Sequence, residues 1–160
     1  MVNLSTGIRT GLAALLILIS ATAHSEGKAP YPGTEIRKTE FRFAELRSRL
    51  ETAIGKNGMF VVTSASASAG AKARGITIPG NMVIGVFRND FAVRMLDASV
   101  PAGIEAPLRF YLTENGDGSA TLTYRRPSAV FAPYGSAQLD AMAAELDTLW
   151  AKIVTDAIGP

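Results

Sequence analysis

The chain has no cysteine among its 160 residues and a single histidine, His24. The first absence excludes disulfides, thiolate metal sites, cysteine nucleophiles and thiol redox switching. The second leaves almost no material for Ser-His-Asp catalysis or a multi-histidine metal centre. An excess of one charge is missing as well: 16 Lys+Arg stand against 14 Asp+Glu. Such a balance gives no general attraction to nucleic acid or to anionic membranes. Long apolar runs are also scarce. The longest, Leu12–Ile19, falls well short of the ~20 residues a membrane-spanning helix needs.

What surrounds that run gives it a different meaning. Arg9 is the only charged residue before Glu26, and the small residues Ser20-Ala-Thr-Ala23 follow the run. A basic start, a short apolar stretch and an A-x-A site describe a secretory signal peptide over residues 1–23. The expectation is export to a bacterial periplasm or beyond, with no stable membrane anchor after cleavage. Cleavage after Ala23 leaves 137 residues with 15 basic against 14 acidic side chains, enough chain for one apolar core. It also exposes His24 as an N-terminal copper chelator, but a stable brace needs a second histidine. Cleavage after Ala21 would create a Thr-Ala-His terminus suited to square-planar Cu(II), yet it puts Ile19 at a position that prefers a small residue. No metal and no cofactor are expected.

Residues 24–34 hold two prolines and two glycines without periodicity, and read as a flexible leader before a single domain over 35–160. Ile36–Phe41 is a candidate first strand. Phe43, Leu46, Leu50, Ala53 and Ile54 repeat at helical spacing to Lys56, with Glu45 placed to pair with Arg49. Asn57-Gly58 ends that helix. Met59–Thr63 is a short strand, and Ser64–Gly75 is either one or two helical turns or a loop. Met82–Arg88 reads as a strand and Asp90–Ser99 as a short helix. Leu108–Glu114 and Ala120–Arg126 are strands joined by Asn115-Gly-Asp-Gly-Ser119, a hairpin signal. Ser136 caps a last helix whose stripe is Leu139, Met142, Leu146, Leu149, Ile153 and Ala157, with Trp150 at its edge.

Three segments in order carry a resemblance: Phe43–Gly58 leading into Met59–Thr63, Val83–Asp90, and Ala102–Leu108. Together they resemble the bacterial family called domain of unknown function 302, over roughly residues 35–135. The resemblance implies an α+β fold: a curved antiparallel sheet with helices on one face, like a single TATA-binding-protein-type repeat. Many members carry a Pro-Cys pair where this chain has Pro107-Leu108, and a cysteine near Val86 or Phe87. Neither cysteine is present here, so no thiol role transfers. The family implies a fold and no established activity.

Chemistry-bearing patterns are few. Asp140, Glu145 and Asp147 spread over the solvent side of the last helix, Asp90 and Asp97 bracket a short one, and nothing sets two carboxylates across a cleft. Gly116-Asp-Gly118 is a hairpin tip without a P-loop lysine, and Ser64, Ser66 and Ser68 have no partner base. The sheet offers more. Alternation puts Phe110, Leu112, Leu122 and Tyr124 under the helices, so Arg109, Tyr111, Thr113, Thr121, Thr123 and Arg125 face the other way, joined by Val83 and Phe87. Phe87, Arg109, Tyr111 and Arg125 are the candidate binding residues on this open face. The expected role is a non-catalytic binding or assembly module, a homodimer or the holder of a small anionic ligand. The alternative is a periplasmic enzyme whose acid or base is a carboxylate or tyrosine beside that face. Nucleic-acid binding, the analogy the fold invites, fails on export and on charge.

Overall fold

Helical spacing from Phe43 onward produces helix α1 (Phe43–Lys56), which buries Leu46, Leu50, Ala53 and Ile54. Gly58 follows it at φ +71°, a left-handed conformation that ends the helix at little cost only for glycine. The structure is a computed structural model and describes residues 31–159. The signal-peptide segment 1–23, its cleavage site and His24 lie outside the described residues.

Around α1 the chain forms strands β1 (Thr34–Arg42), β2 (Phe60–Ala65), β3 (Asn81–Phe87), β4 (Leu108–Glu114) and β5 (Ser119–Arg125). The other helices are α2 (Ala67–Lys72), α3 (Asn89–Ala98), α4 (Pro127–Phe131) and α5 (Ala137–Ile158), with 3-10 turns at Val100–Glu105 and Ala132–Tyr134. The strands make one antiparallel sheet in the order β1-β5-β4-β3-β2. β1 and β2, consecutive in sequence, therefore occupy opposite edges, and α1 carries the chain beneath the sheet between them. This is the expected α+β architecture.

The ambiguous Ser64–Gly75 stretch resolves into the end of β2 and α2. Ser66 accepts a hydrogen bond from Ala69 N at 3.1 Å, so a serine caps the short helix. β2 gains one extra residue between the pairs Val61↔Val86 and Thr63↔Gly85. Thr63 then lies over Gly85 together with Pro107. A Cβ on Gly85 would stand 2.3 Å from Thr63 Cγ2 and 2.9 Å from Pro107 Cγ, so only glycine fits there.

The core lies between the sheet and α1, α3 and α5. Its centre is an aromatic stack: Trp150 lies parallel to Phe110 at 5.5 Å, and Phe110 meets Tyr124 edge-on at 5.5 Å. Here the expected phase of the last helix needs correcting. Trp150 is 1 % exposed and among the largest fully buried side chains, whereas Leu149 is only partly buried. The stripe runs Leu139, Met142, Ala143, Leu146, Trp150, Ile153, Val154 and Ala157, because the indole fills the gap beside Phe110 that leucine would leave.

Two polar expectations also change. Arg49 does not pair with Glu45. It reaches across to α5, donating from Nε to Ala157 O at 2.8 Å and from Nη2 to Gly159 O, where a cation satisfies the free carbonyls of a helix end. Asp147 is not a bare surface carboxylate. It accepts Ser128 N at 2.9 Å, supplying from α5 the cap that Arg126, the N-cap residue of α4, does not provide. Asp147→Ala should therefore cost ~1 kcal/mol, as loss of an N-cap does, and the urea midpoint should fall accordingly. Asp147→Asn, which retains an acceptor oxygen, should recover most of it.

Candidate functional site

The open face follows from the register. Ile36 pairs with Thr123, Thr123 with Tyr111, Tyr111 with Val83 and Val83 with Ala65, so one row of side chains crosses all five strands on the side away from the helices. Arg109 pairs with Gly85 in the next row. The β4–β5 register, Tyr111↔Thr123 and Phe110↔Tyr124, extended by one residue sets Arg109 opposite Arg125. Facing side chains on neighbouring strands have Cβ atoms roughly 5 Å apart, where like charges repel.

These residues line a hollow of about 290 Å³. Arg109, Tyr111, Thr123 and Arg125 form its floor, Val83 lies at one side, and Glu105 and Val130 contribute from the 3-10 turn and α4. Tyr111 is 42 % exposed. Arg125 is half-buried, its Nε lies out of solvent without a hydrogen-bond partner, and its guanidinium carbon is 5.5 Å from the Tyr31 ring centroid. Its only side-chain hydrogen bond among the described residues is a long one, to Ala129 O at 3.5 Å. The Arg109 side chain has no hydrogen bond or ion pair among the described residues. Glu105 is the one carboxylate in the lining, and it accepts the Tyr134 hydroxyl at 3.0 Å. Desolvation, helped by that hydrogen bond, raises the Tyr134 pKa above its ordinary value.

The arrangement has two guanidinium groups with unused donors beside a phenol and a threonine, and one carboxylate already engaged. It can hold an anion through paired charge-assisted hydrogen bonds. Among the described residues no three metal-ligating side chains gather, and no helix is long and apolar enough to cross a membrane. The carboxylates expected on solvent faces lie there: Asp90, Asp97, Asp140 and Glu145 are exposed, and two of them carry surface ion pairs. Glu145 takes a two-pronged contact from Arg94 at 2.6 and 2.8 Å, which lowers its pKa, and Asp90 is held likewise by Arg88 at 2.7 and 3.0 Å.

Residues 35–157 match the family described as domain of unknown function DUF302. The chain belongs to that family. This DUF302 member is also similar in structure to an uncharacterised conserved DUF302 protein from Bacillus stearothermophilus, solved by crystallography, with a TM-score of 0.70 at 16 % identity, covering 79 % of this chain and 98 % of that one. The likeness is one of fold. No curated protein matches the sequence.

Of the four residues singled out in the sequence, Arg109, Tyr111 and Arg125 come together in this hollow of the DUF302 fold. Phe87 does not. It borders a separate apolar pocket of about 30 Å³, with Phe91 and Met95 from α3 and Trp150 from α5. β3 ends at Phe87, which pairs with Phe60 of the edge strand β2, so it lies one strand away from Arg109 and two from Arg125. Thr34, Glu105 and Val130 were missed. They reach the hollow from segments that periodicity does not relate to β4 and β5.

Proposed function

We propose that this protein is an exported, non-catalytic binding module whose open sheet face holds a small anionic ligand between Arg109 and Arg125. One observation carries the reading. Two arginines face each other across adjacent strands in the floor of the hollow, and the Nε of one is buried without a partner. Leaving a buried charged donor unused is costly, and an anion with two oxygens would satisfy it and relieve the repulsion between the guanidiniums. Glu105 supports binding over catalysis, because its hydrogen bond with Tyr134 leaves no unpaired buried carboxylate in the hollow. The test is thermal unfolding at low ionic strength with phosphate, acetate or benzoate added. At least one should raise the midpoint in a saturable way, as preferential binding to the folded state requires. If none does, the reading fails.

A second reading, association of two copies, is favoured by a different surface. β2 is an edge strand without a charged side chain, and Phe60 and Val62 are 63 % and 52 % exposed. The opposite edge, β1, is guarded by Glu35, Arg37, Lys38 and Glu40, the usual protection against edge pairing. Sedimentation should show a dimer that Val62→Lys converts to monomer. A monomeric parent protein at tens of micromolar would remove this second reading.

A further inference from the structure

The anion hollow does not end at the arginines. A second, shallower concavity of about 680 Å³ is lined by Ala65, Ser66, Ala67, Asn81, Val83 and Tyr111. It shares Val83 and Tyr111 with the first, so the two form one groove across β5, β4, β3 and β2. Three strand spacings make that span ~14 Å.

The groove is polarised. At one end Arg109 and Arg125 offer donors that, among the described residues, are unused apart from one long contact of Arg125 with Ala129 O at 3.5 Å. At the other, the side-chain polar atoms of Asn81 and Ser66 are already engaged within the chain. Asn81 Oδ1 accepts Ala67 N at 3.0 Å, and its Nδ2 donates to Pro79 O at 3.1 Å. Ser66 Oγ accepts Ala69 N at 3.1 Å and lies 3.0 Å from Ser68 Oγ. What remains exposed there is the apolar surface of Ala65, Ala67 and Val83 and the ring of Tyr111. A ligand with charge along its whole length would leave that end without partners, and a small inorganic anion would leave it empty.

Building on the anion-binding reading above, we propose that the ligand is an anionic amphiphile. Its carboxylate sits between Arg109 and Arg125, and its alkyl chain runs over Tyr111 and Val83 toward Ala65. The occupant is a single dissolved molecule. A bilayer presents its headgroups outward and would offer no alkyl chain to the far end of the groove.

The experiment is calorimetric titration with butyrate, octanoate, octanol and inorganic phosphate, each in solution below any micelle-forming concentration. Each methylene fully removed from water is worth about fourfold in affinity. For a chain lying in an open groove, octanoate should bind about tenfold or more tighter than butyrate, and octanol far more weakly than octanoate. Ala65→Glu places a charge at the apolar end, since Ala65 pairs with Val83 on this face. It should bring octanoate close to butyrate and leave butyrate unchanged. Near-ultraviolet circular dichroism checks its fold, and Val83→Thr is the milder variant, expected to move octanoate in the same direction.

Equal affinity for butyrate, phosphate and octanoate would overturn the alkyl chain and leave the anion site standing. Octanol binding as tightly as octanoate would overturn the role of the arginines, and with it the anion site itself. Absence of binding by all four would overturn both.

Discussion

Trp150→Ala should lower the unfolding free energy by ~3–5 kcal/mol, the cost of deleting a buried large aromatic. The indole is fully buried and stacked on Phe110, and the sheet above it and the neighbouring helices leave little room for collapse into the space it vacates. Its Nε1 has no hydrogen-bond partner, so Trp150→Phe sacrifices packing alone and should cost less than half as much. Leu146→Ala, in the same stripe, should cost ~2–5 kcal/mol. Leu149→Ala should cost only ~1 kcal/mol, because that side chain is partly buried and its removal uncovers less apolar surface. Urea unfolding followed by far-ultraviolet dichroism ranks the four variants. Leu149→Ala matching Trp150→Ala would mean that the helix is rotated from the orientation described.

The second large effect is on binding. Removing both side chains in Arg109→Ala/Arg125→Ala deletes two charge-assisted contacts, each worth ~1.5–3 kcal/mol. Affinity for a carboxylate should therefore fall about a hundredfold or more, at ~1.4 kcal/mol for each factor of ten. Stability should change little, because exposed or half-exposed arginines contribute weakly and the substitution also removes a like-charge pair. Added salt should weaken the parent protein's binding in the same sense. Arg126→Ala is the control for net charge. That residue is exposed and lies 3.7 Å from Glu35, outside the hollow, so its loss should alter affinity only slightly. Unfolding of the double variant would place the arginines inside the structure and invert the two faces of the sheet.

The sheet and its faces were legible because alternation is a local rule. Phe110 and Leu112 on one strand and Leu122 on the next are all fully buried, and that alone sends Arg109 and Tyr111 the other way. The helix Phe43–Lys56 was legible from its spacing for the same reason. Legibility stopped where tertiary geometry chose between near-equals. Leu149 and Trp150 are adjacent on one helix turn, and only the space beside Phe110 decides which goes inside. Asp147 reads as surface because α4, the helix it caps, is five residues beginning at a proline, too short to show a period. The hollow was half readable. Its floor comes from two strands of one hairpin, while Glu105 and Val130 arrive from segments whose position depends on the chain's path around the sheet end.

The central claim, that the open face between Arg109 and Arg125 is a binding site, is tested most directly by titrating benzoate into nitrogen-15-labelled protein and following backbone amide shifts. Saturable shifts should cluster at Tyr111, Thr123 and Arg125 and their strand neighbours Arg109 and Val83, while the amides of α1 and α5 stay fixed. Shifts scattered over the surface, or centred on the helix side of the sheet, would contradict the assignment.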